Sequence, residues 1–252
     1  MNRFRSSVLI VFLLVLQVQA LSMVVCALSA TDEDLAKLLE KLKSPSSNER
    51  REAVEALGYL EDKRAIEPLI GALKDSSPDV RAAAANAMSE YKDKRAIEPM
   101  IVLLKDSVAF VRSTAARVLG DLADVQAYEP LTLALMDENS SVRGASAMSL
   151  GALQDQRAVD KLLTMTRDGG ADVRSAVAAS LGTLKDKKAF DALVQLLKDE
   201  DRMVRVSAAI ALADIGDKRA TPLLQEIVAN EKNEEARLQM KEALQRLESS
   251  RQ

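Results

Sequence analysis

The sequence predicts an all-α protein, a right-handed α-α superhelix stacked from 31-residue helix pairs. Three observations predict it. Aromatic residues make up only 3% of the 252 residues, Trp and His are absent, and Ala, Leu, Lys, Asp and Glu abound, a composition that favours helices over sheets. The dipeptide Val-Arg recurs at Val80-Arg81, Val111-Arg112, Val142-Arg143, Val173-Arg174 and Val204-Arg205, always at the same interval, with Arg50 one step earlier. Further columns keep the same register: Asp75, Asp106, Asp137, Asp168 and Asp199; Asp62, Asp93, Asp124, Asp155, Asp186 and Asp217; Leu57, Met88, Leu119, Leu150, Leu181 and Leu212. A fixed period held by independent columns is the signature of a repeat architecture.

The chain divides accordingly. Residues 1–30 open with Arg3 and Arg5, continue with an apolar run from Val8 to Leu16, and end in small residues, the layout of a secretory signal peptide. The stretch from Val8 to Leu28 is also long enough for an uncleaved anchor, and Cys26 offers a lipidation site, although Met23-Val24-Val25 before it is a poor lipoprotein match. On each reading the protein is exported, periplasmic or extracellular, and meets a membrane only through the uncleaved segment or a lipidated Cys26. Residues 31–252 form the repeat domain. A cap helix occupies 31–46, started by Thr31-Asp32-Glu33-Asp34. Six helix pairs fill 47–231. A charged cap helix lies in 232–252, with Leu238, Ala243, Leu244 and Leu247 available to cover the last pair.

Within the second pair, Val80, Ala84, Met88 and Tyr91 fall on one stripe of a helix A over about Asp79 to Tyr91. Asp93 then offers an N-cap to a helix B over about Lys94 to Lys105, with Ile97, Met100, Ile101 and Leu104 inward. Pro68, Pro99 and Pro130 fall early in helix B, where a missing N–H costs least. Gly58, Gly120, Gly151 and Gly182 recur near the end of helix A. Glycine costs about 1 kcal/mol inside a helix, so its repetition implies close approach of neighbouring helices. Helix pairs that cannot bury their own apolar faces do so by stacking.

Several functions are disfavoured. A net charge of −3 and a pI near 5.3 oppose nucleic acid binding, which needs clustered positive charge. The absence of His removes the commonest general base and metal ligand, and the single Cys26 leaves no cysteine-based zinc site. No catalytic, cofactor-binding or metal-binding residue is therefore assigned, and no cofactor is expected.

The segment Asp79 to Ser89 followed by Asp93-Lys94-Arg95-Ala96-Ile97-Glu98-Pro99-Met100-Ile101 resembles the short HEAT-like repeats of the phycobilisome lyase type. The resemblance covers the six helix pairs, most of the chain. It implies the solenoid fold and, with less force, an interaction role, because this fold serves unrelated tasks. It also implies that Arg81, Arg112, Arg143, Arg174 and Arg205 form a structural ladder with Asp75, Asp106, Asp137, Asp168 and Asp199, each arginine reaching the aspartate of the turn before it. Deoxyhypusine hydroxylase has similar repeats but holds iron through His-Glu motifs, which a chain without His does not supply. Bilin lyases have them too, and an enzyme or enzyme-assembly factor of that kind is the alternative to a non-catalytic scaffold.

One column hints at a partner. Glu67, Glu98, Glu129, Asp160 and Asp191 place an acid at the same helix B position in five successive units. The simpler reading is favourable interaction with the helix dipole and local pairing with Lys63 or Lys94. The functional reading is a line of charge that receives a basic protein or peptide. The Asp62 to Asp217 column is read as helix caps rather than a cation ladder. On helix A, Arg51 and Glu55 give way to Gly144 and Met148, then Ser175 and Ala179, then Val206 and Ile210. That is either an exposed apolar patch or partial burial between units.

Overall fold

The computed structural model describes residues 32–249. Over those residues the chain is helical, and no helix is long and apolar enough to cross a membrane. After helix α1 (Asp32–Lys41) come six helix pairs: α2 (Ser47–Tyr59) with α3 (Ile66–Ala72), α4 (Pro78–Tyr91) with α5 (Ile97–Leu103), α6 (Ala109–Leu122) with α7 (Tyr128–Ala134), α8 (Ser140–Ala152) with α9 (Ala158–Thr164), α10 (Ala171–Leu184) with α11 (Phe190–Leu196), and α12 (Arg202–Ile215) with α13 (Ala220–Asn230). Helix α14 (Glu234–Ser249) follows and packs on α12 and α13. The long A helices stack on one another, and each short B helix packs against the next A helix.

The joint between A and B opens in the same way in every unit. The residue there is left-handed: Glu61, Lys92, Ala123, Gln154, Lys185 and Gly216 all have positive φ. Only the last is glycine, the residue that adopts this conformation without strain. Helix B does not start directly as an α-helix in most units. A 3-10 turn leads in at Lys63–Ala65, Lys94–Ala96, Val125–Ala127 and Lys187–Ala189, and the aspartate before each accepts the N–H two residues on. That tighter start takes up the first turn of helix B, so its α-helical part is shorter than the sequence spacing predicts. Pro68, Pro99 and Pro130 are the third residue of α3, α5 and α7, where an α-helix has no use for their absent N–H.

The core is one continuous cluster built from the repeating apolar columns. Leu57, Met88, Leu119, Leu150, Leu181 and Leu212 are fully buried, as are Val80, Val111, Val142, Val173 and Val204. The glycine column shows what sets the spacing of the A helices. A Cβ on Gly120 would lie 2.5 Å from Ser149 Oγ and 2.9 Å from its Cα, and one on Gly182 would lie 2.6 Å from Ala211 Cα. Opposite Gly120 and Gly151 the facing residue is a serine whose buried hydroxyl donates to the previous A helix: Ser149 to the carbonyl of Ala116 at 2.7 Å, and Ser180 to that of Ala147 at 2.8 Å. The hydroxyls that glycine admits thus become hydrogen bonds between units, which apolar packing alone does not orient.

Candidate functional site

The arginine ladder is continuous along the stack, but it runs in the opposite sense to that expected. Arg143 does not pair with the carboxylate of Asp137, in the turn before it. It forms a two-pronged bond with Asp168, in the turn after it, through Nε at 2.7 Å and Nη2 at 2.8 Å. Its Nη1 donates instead to the backbone carbonyls of Asp137 at 2.9 Å and Glu138 at 3.1 Å. Arg81 reaches Asp106, Arg112 reaches Asp137 and Arg174 reaches Asp199 in the same way. Arg50 opens the series with Asp75, and Arg205 closes it with Glu231, where the longer α13 has displaced the aspartate position. The physical reason for the direction is geometric. The carbonyls of the preceding turn face Nη1, while the flat edge formed by Nε and Nη2 matches the following carboxylate. Each arginine therefore spans two successive turns. The arginine bond holds each of the five aspartates below the usual carboxylate range, against the opposing effect of burial.

The second aspartate column caps the start of helix B, and Asp62, Asp93, Asp155 and Asp217 also bind the arginine two residues on. The Arg95 and Arg219 side chains, together with the backbone N–H bonds, lower Asp93 and Asp217 to about 2. Arg157 and Arg219 additionally lie over the rings of Tyr128 and Phe190, 4.1 and 4.2 Å from the centroids, a stacking that composition does not reveal. Among the described residues, no group of three or more His, Cys, Asp or Glu is arranged to hold a metal ion.

Glu67, Glu98, Glu129, Asp160 and Asp191 are all exposed on the helix B face. Their surroundings are not uniform. Glu67 accepts from Arg95 of the next unit at 2.8 Å, and Asp160 lies 3.7 Å from Lys188 of the next unit. These pairings run between units rather than to Lys63 or Lys94, and Lys94 pairs with Asp124. At the position of Arg95 and Lys188, the third unit carries Gln126. Among the described residues Glu98 has no ion-pair partner, and neither has Glu129, whose neighbour Arg157 is committed to Asp155 and the Tyr128 ring. Asp191 likewise has no ion-pair partner among the described residues, its neighbour Arg219 being committed to Asp217 and the Phe190 ring. The column is thus paired at Glu67 and Asp160 and unpaired at Glu98, Glu129 and Asp191, and the break from Lys-Arg to Val125-Gln126 signals the unpaired Glu98 in the sequence.

The helix A face resolves toward burial. Val206 is 2% exposed and Gly144 is buried, while Ala179 and Ile210 are half-buried between units. Met148 alone of that apolar set stands exposed.

The chain matches the family described as HEAT repeats over residues 35–116, 101–181 and 165–245. No curated protein matches it. Among solved structures it is similar to the CpcE and CpcF complex of phycocyanin lyase from Nostoc, at 24% identity and a TM-score of 0.58, covering 83% of this chain and 86% of that one. The Escherichia coli protein YibA gives 19% identity and a TM-score of 0.58 over 87% of this chain and 93% of that one. Kap95p, solved in complex with RanGDP, gives 14% identity and a TM-score of 0.65, over 84% of this chain and 35% of that one. At these identities the likeness is one of fold.

Proposed function

Because this chain belongs to the HEAT-repeat family, we propose that it is a non-catalytic interaction scaffold, working outside the cytoplasm, that holds a basic protein or peptide along its helix B face. The observation that carries the proposal is the exposed acidic column, one side chain per unit over five units, on short helices whose relative positions the arginine ladder holds. Charges repeated at a helix-packing distance of about 8–10 Å span about 40 Å, a length suited to an extended or helical segment. They act mainly on association rate and specificity. Arg3, Arg5 and the apolar run to Leu16 support export. The alternative, an enzyme or enzyme-assembly factor of the lyase type, asks for reactive groups that break the repeat. Each carboxylate whose titration is clearly displaced is lowered by a structural hydrogen bond or ion pair, which favours the scaffold.

The experiment is affinity purification from the cell envelope, followed by binding measurements with Glu98, Glu129 and Asp160 replaced by Gln, Gln and Asn. Weaker binding with a shallower salt dependence is the expected result. Unchanged affinity across a salt series would reduce the column to a solvated helix face. N-terminal sequencing of the purified protein tests export, and a cytoplasmic protein retaining Met1 overturns it.

A further inference from the structure

The third unit departs from the repeat where its B face meets solvent. Position 136 is Met, although its counterparts Lys74, Lys105, Arg167 and Lys198 are all basic. Val125 and Gln126 stand where the second unit has Lys94 and Arg95. Leu133 is 73% exposed, Met136 80%, and Val102, one repeat before Leu133, 68%. Large apolar side chains this exposed are ordinary when scattered, but a contiguous group marks a contact surface. Here Leu133 and Met136 border a groove of about 290 Å³ between α5 and α7, walled by Ile101, Leu104, Pro130 and Ala134.

The two acids beside the groove, Glu98 and Glu129, are without an ion-pair partner among the described residues, unlike Glu67 and Asp160 on either side of them. Glu98 precedes Val102 by one helical turn, and Glu129 stands in the same relation to Leu133, so each acid shares a helix face with an exposed apolar side chain. An acidic rail and an apolar rail therefore run side by side across the second and third units. The substitution that leaves Glu98 unpaired, Gln126, occurs in the same unit as the substitution that exposes Met136. Lys105 and Asp137 close the groove at its other end. Asp137 is occupied by Arg112, so that end carries the charge of Lys105 and repels a basic group.

We infer that the groove between α5 and α7 docks a partner segment with large apolar side chains on one face and lysine or arginine at one end, the basic end lying over Glu98 and Glu129. This rests on the scaffold reading and narrows it to one site and one orientation. Apolar contact in the groove supplies the affinity, and the unbalanced acids select the sign and direction of the occupant.

The test uses the full chain and a short synthetic helical peptide with leucines along one face and lysines clustered at one end. A counterpart carries glutamates in place of the lysines. Binding is followed by fluorescence anisotropy. Leu133→Gln with Met136→Lys installs the residues already present at the matching positions of the fifth unit, Gln195 and Lys198; circular dichroism and a urea melt verify that the variant folds. It is expected to weaken the lysine peptide at least tenfold. Glu98→Gln with Glu129→Gln is expected to weaken it and flatten its salt dependence, whereas Glu67→Gln with Asp160→Asn leaves it within twofold. The glutamate peptide is expected not to bind. Wild-type affinity in the Leu133/Met136 variant overturns the groove. If in that case all acidic variants weaken binding alike, the column reading survives without it. Failure of the lysine peptide to bind at low salt overturns the assignment to a basic apolar segment. Tighter binding by a chain lacking residues 1–30 would make the chain's own basic, apolar start the occupant. Self-association abolished by the Leu133/Met136 variant would make a second copy the occupant. Either result overturns the partner assignment.

Discussion

Removing Arg143 tests the ladder most directly. The substitution Arg143→Ala deletes the two-pronged bond to Asp168 and the bonds to the carbonyls of Asp137 and Glu138. Asp168 keeps one donor, the N–H of Gly170 at 2.8 Å. The side chains are 17% and 8% exposed, so the pair is neither a surface bridge nor fully desolvated. Breaking a buried pair costs about 3–5 kcal/mol, whereas an exposed one contributes under about 1 kcal/mol. The expected loss is therefore about 2–4 kcal/mol, nearer the buried limit because a carboxylate is left behind. With a urea slope of about 2–3 kcal/mol/M the midpoint should fall by about 1 M. A solenoid need not unfold in one step, so amide exchange in α8 and α10 should be followed alongside, and should accelerate there first. Arg143→Lys should fall between, since it keeps the charge and loses the flat two-donor edge. An unchanged midpoint with unchanged exchange would refute the argument that the clasp stabilises the joint.

The remaining predictions concern packing and pH. Gly120→Ala should destabilise by about 1–3 kcal/mol through overpacking, since the new methyl meets Ser149 Oγ and backbone; Gly71→Ala, where no atom lies within 4 Å, should stabilise by about 0.5–1 kcal/mol. Thermal melts of the pair check both, and equal effects would mean that the glycine column does not set the spacing. Thr132 has its hydroxyl buried with no hydrogen-bond partner, at a position held by Ile70, Ile101, Leu163 and Val194 in other units. Thr132→Val should therefore stabilise by about 1 kcal/mol in urea melts, and a loss of stability would show that the hydroxyl is satisfied. The ladder aspartates are lowered in the folded chain relative to about 3.9 unfolded. Their stabilisation is thus complete above that value and is lost as pH falls through the folded values, because the unfolded chain takes up protons first. Urea midpoints should hold steady from neutral pH to about pH 5 and drop below about pH 4, less steeply in Arg143→Ala; a midpoint independent of pH through that acid range would contradict the ladder.

Much of this molecule is legible as periodicity. The columns of Val80 and Leu57 place the core, and the aspartates at 62 and 93 place the start of helix B, because burial and capping impose one residue type at one position in every unit. What periodicity hides is direction. Arg143 lies between Asp137 and Asp168 in the chain, and both turns recur every unit, so spacing alone does not decide between them. The 3-10 lead into helix B is similarly concealed, since its cap sits where an ordinary α-helical cap would. The acidic column reads as uniform for a related reason: its counterions belong to the next unit, as in Glu67 with Arg95. The groove beside Leu133 left a different trace, a lapse in the basic positions at Val125, Gln126 and Met136, which is visible once columns are compared for their exceptions.

The way each arginine spans two turns has a consequence for chain length. Excising residues 107–137 would join Asp106 directly to Glu138. Arg112 and Asp137 would leave together, Arg81 would keep Asp106, and Arg143 would find the carbonyl of Asp106 where that of Asp137 had been. A deletion of one full repeat, or a duplication of the same size, thus removes or adds a whole clasp and leaves no charge stranded. A deletion that is not a whole number of repeats sets a buried carboxylate against the wrong turn. The number of units is therefore free to change by integers while the joint between them stays the same. The excision that shortens this chain in register also removes Leu133 and Met136, so recombination alone can erase the groove and leave a well-closed solenoid.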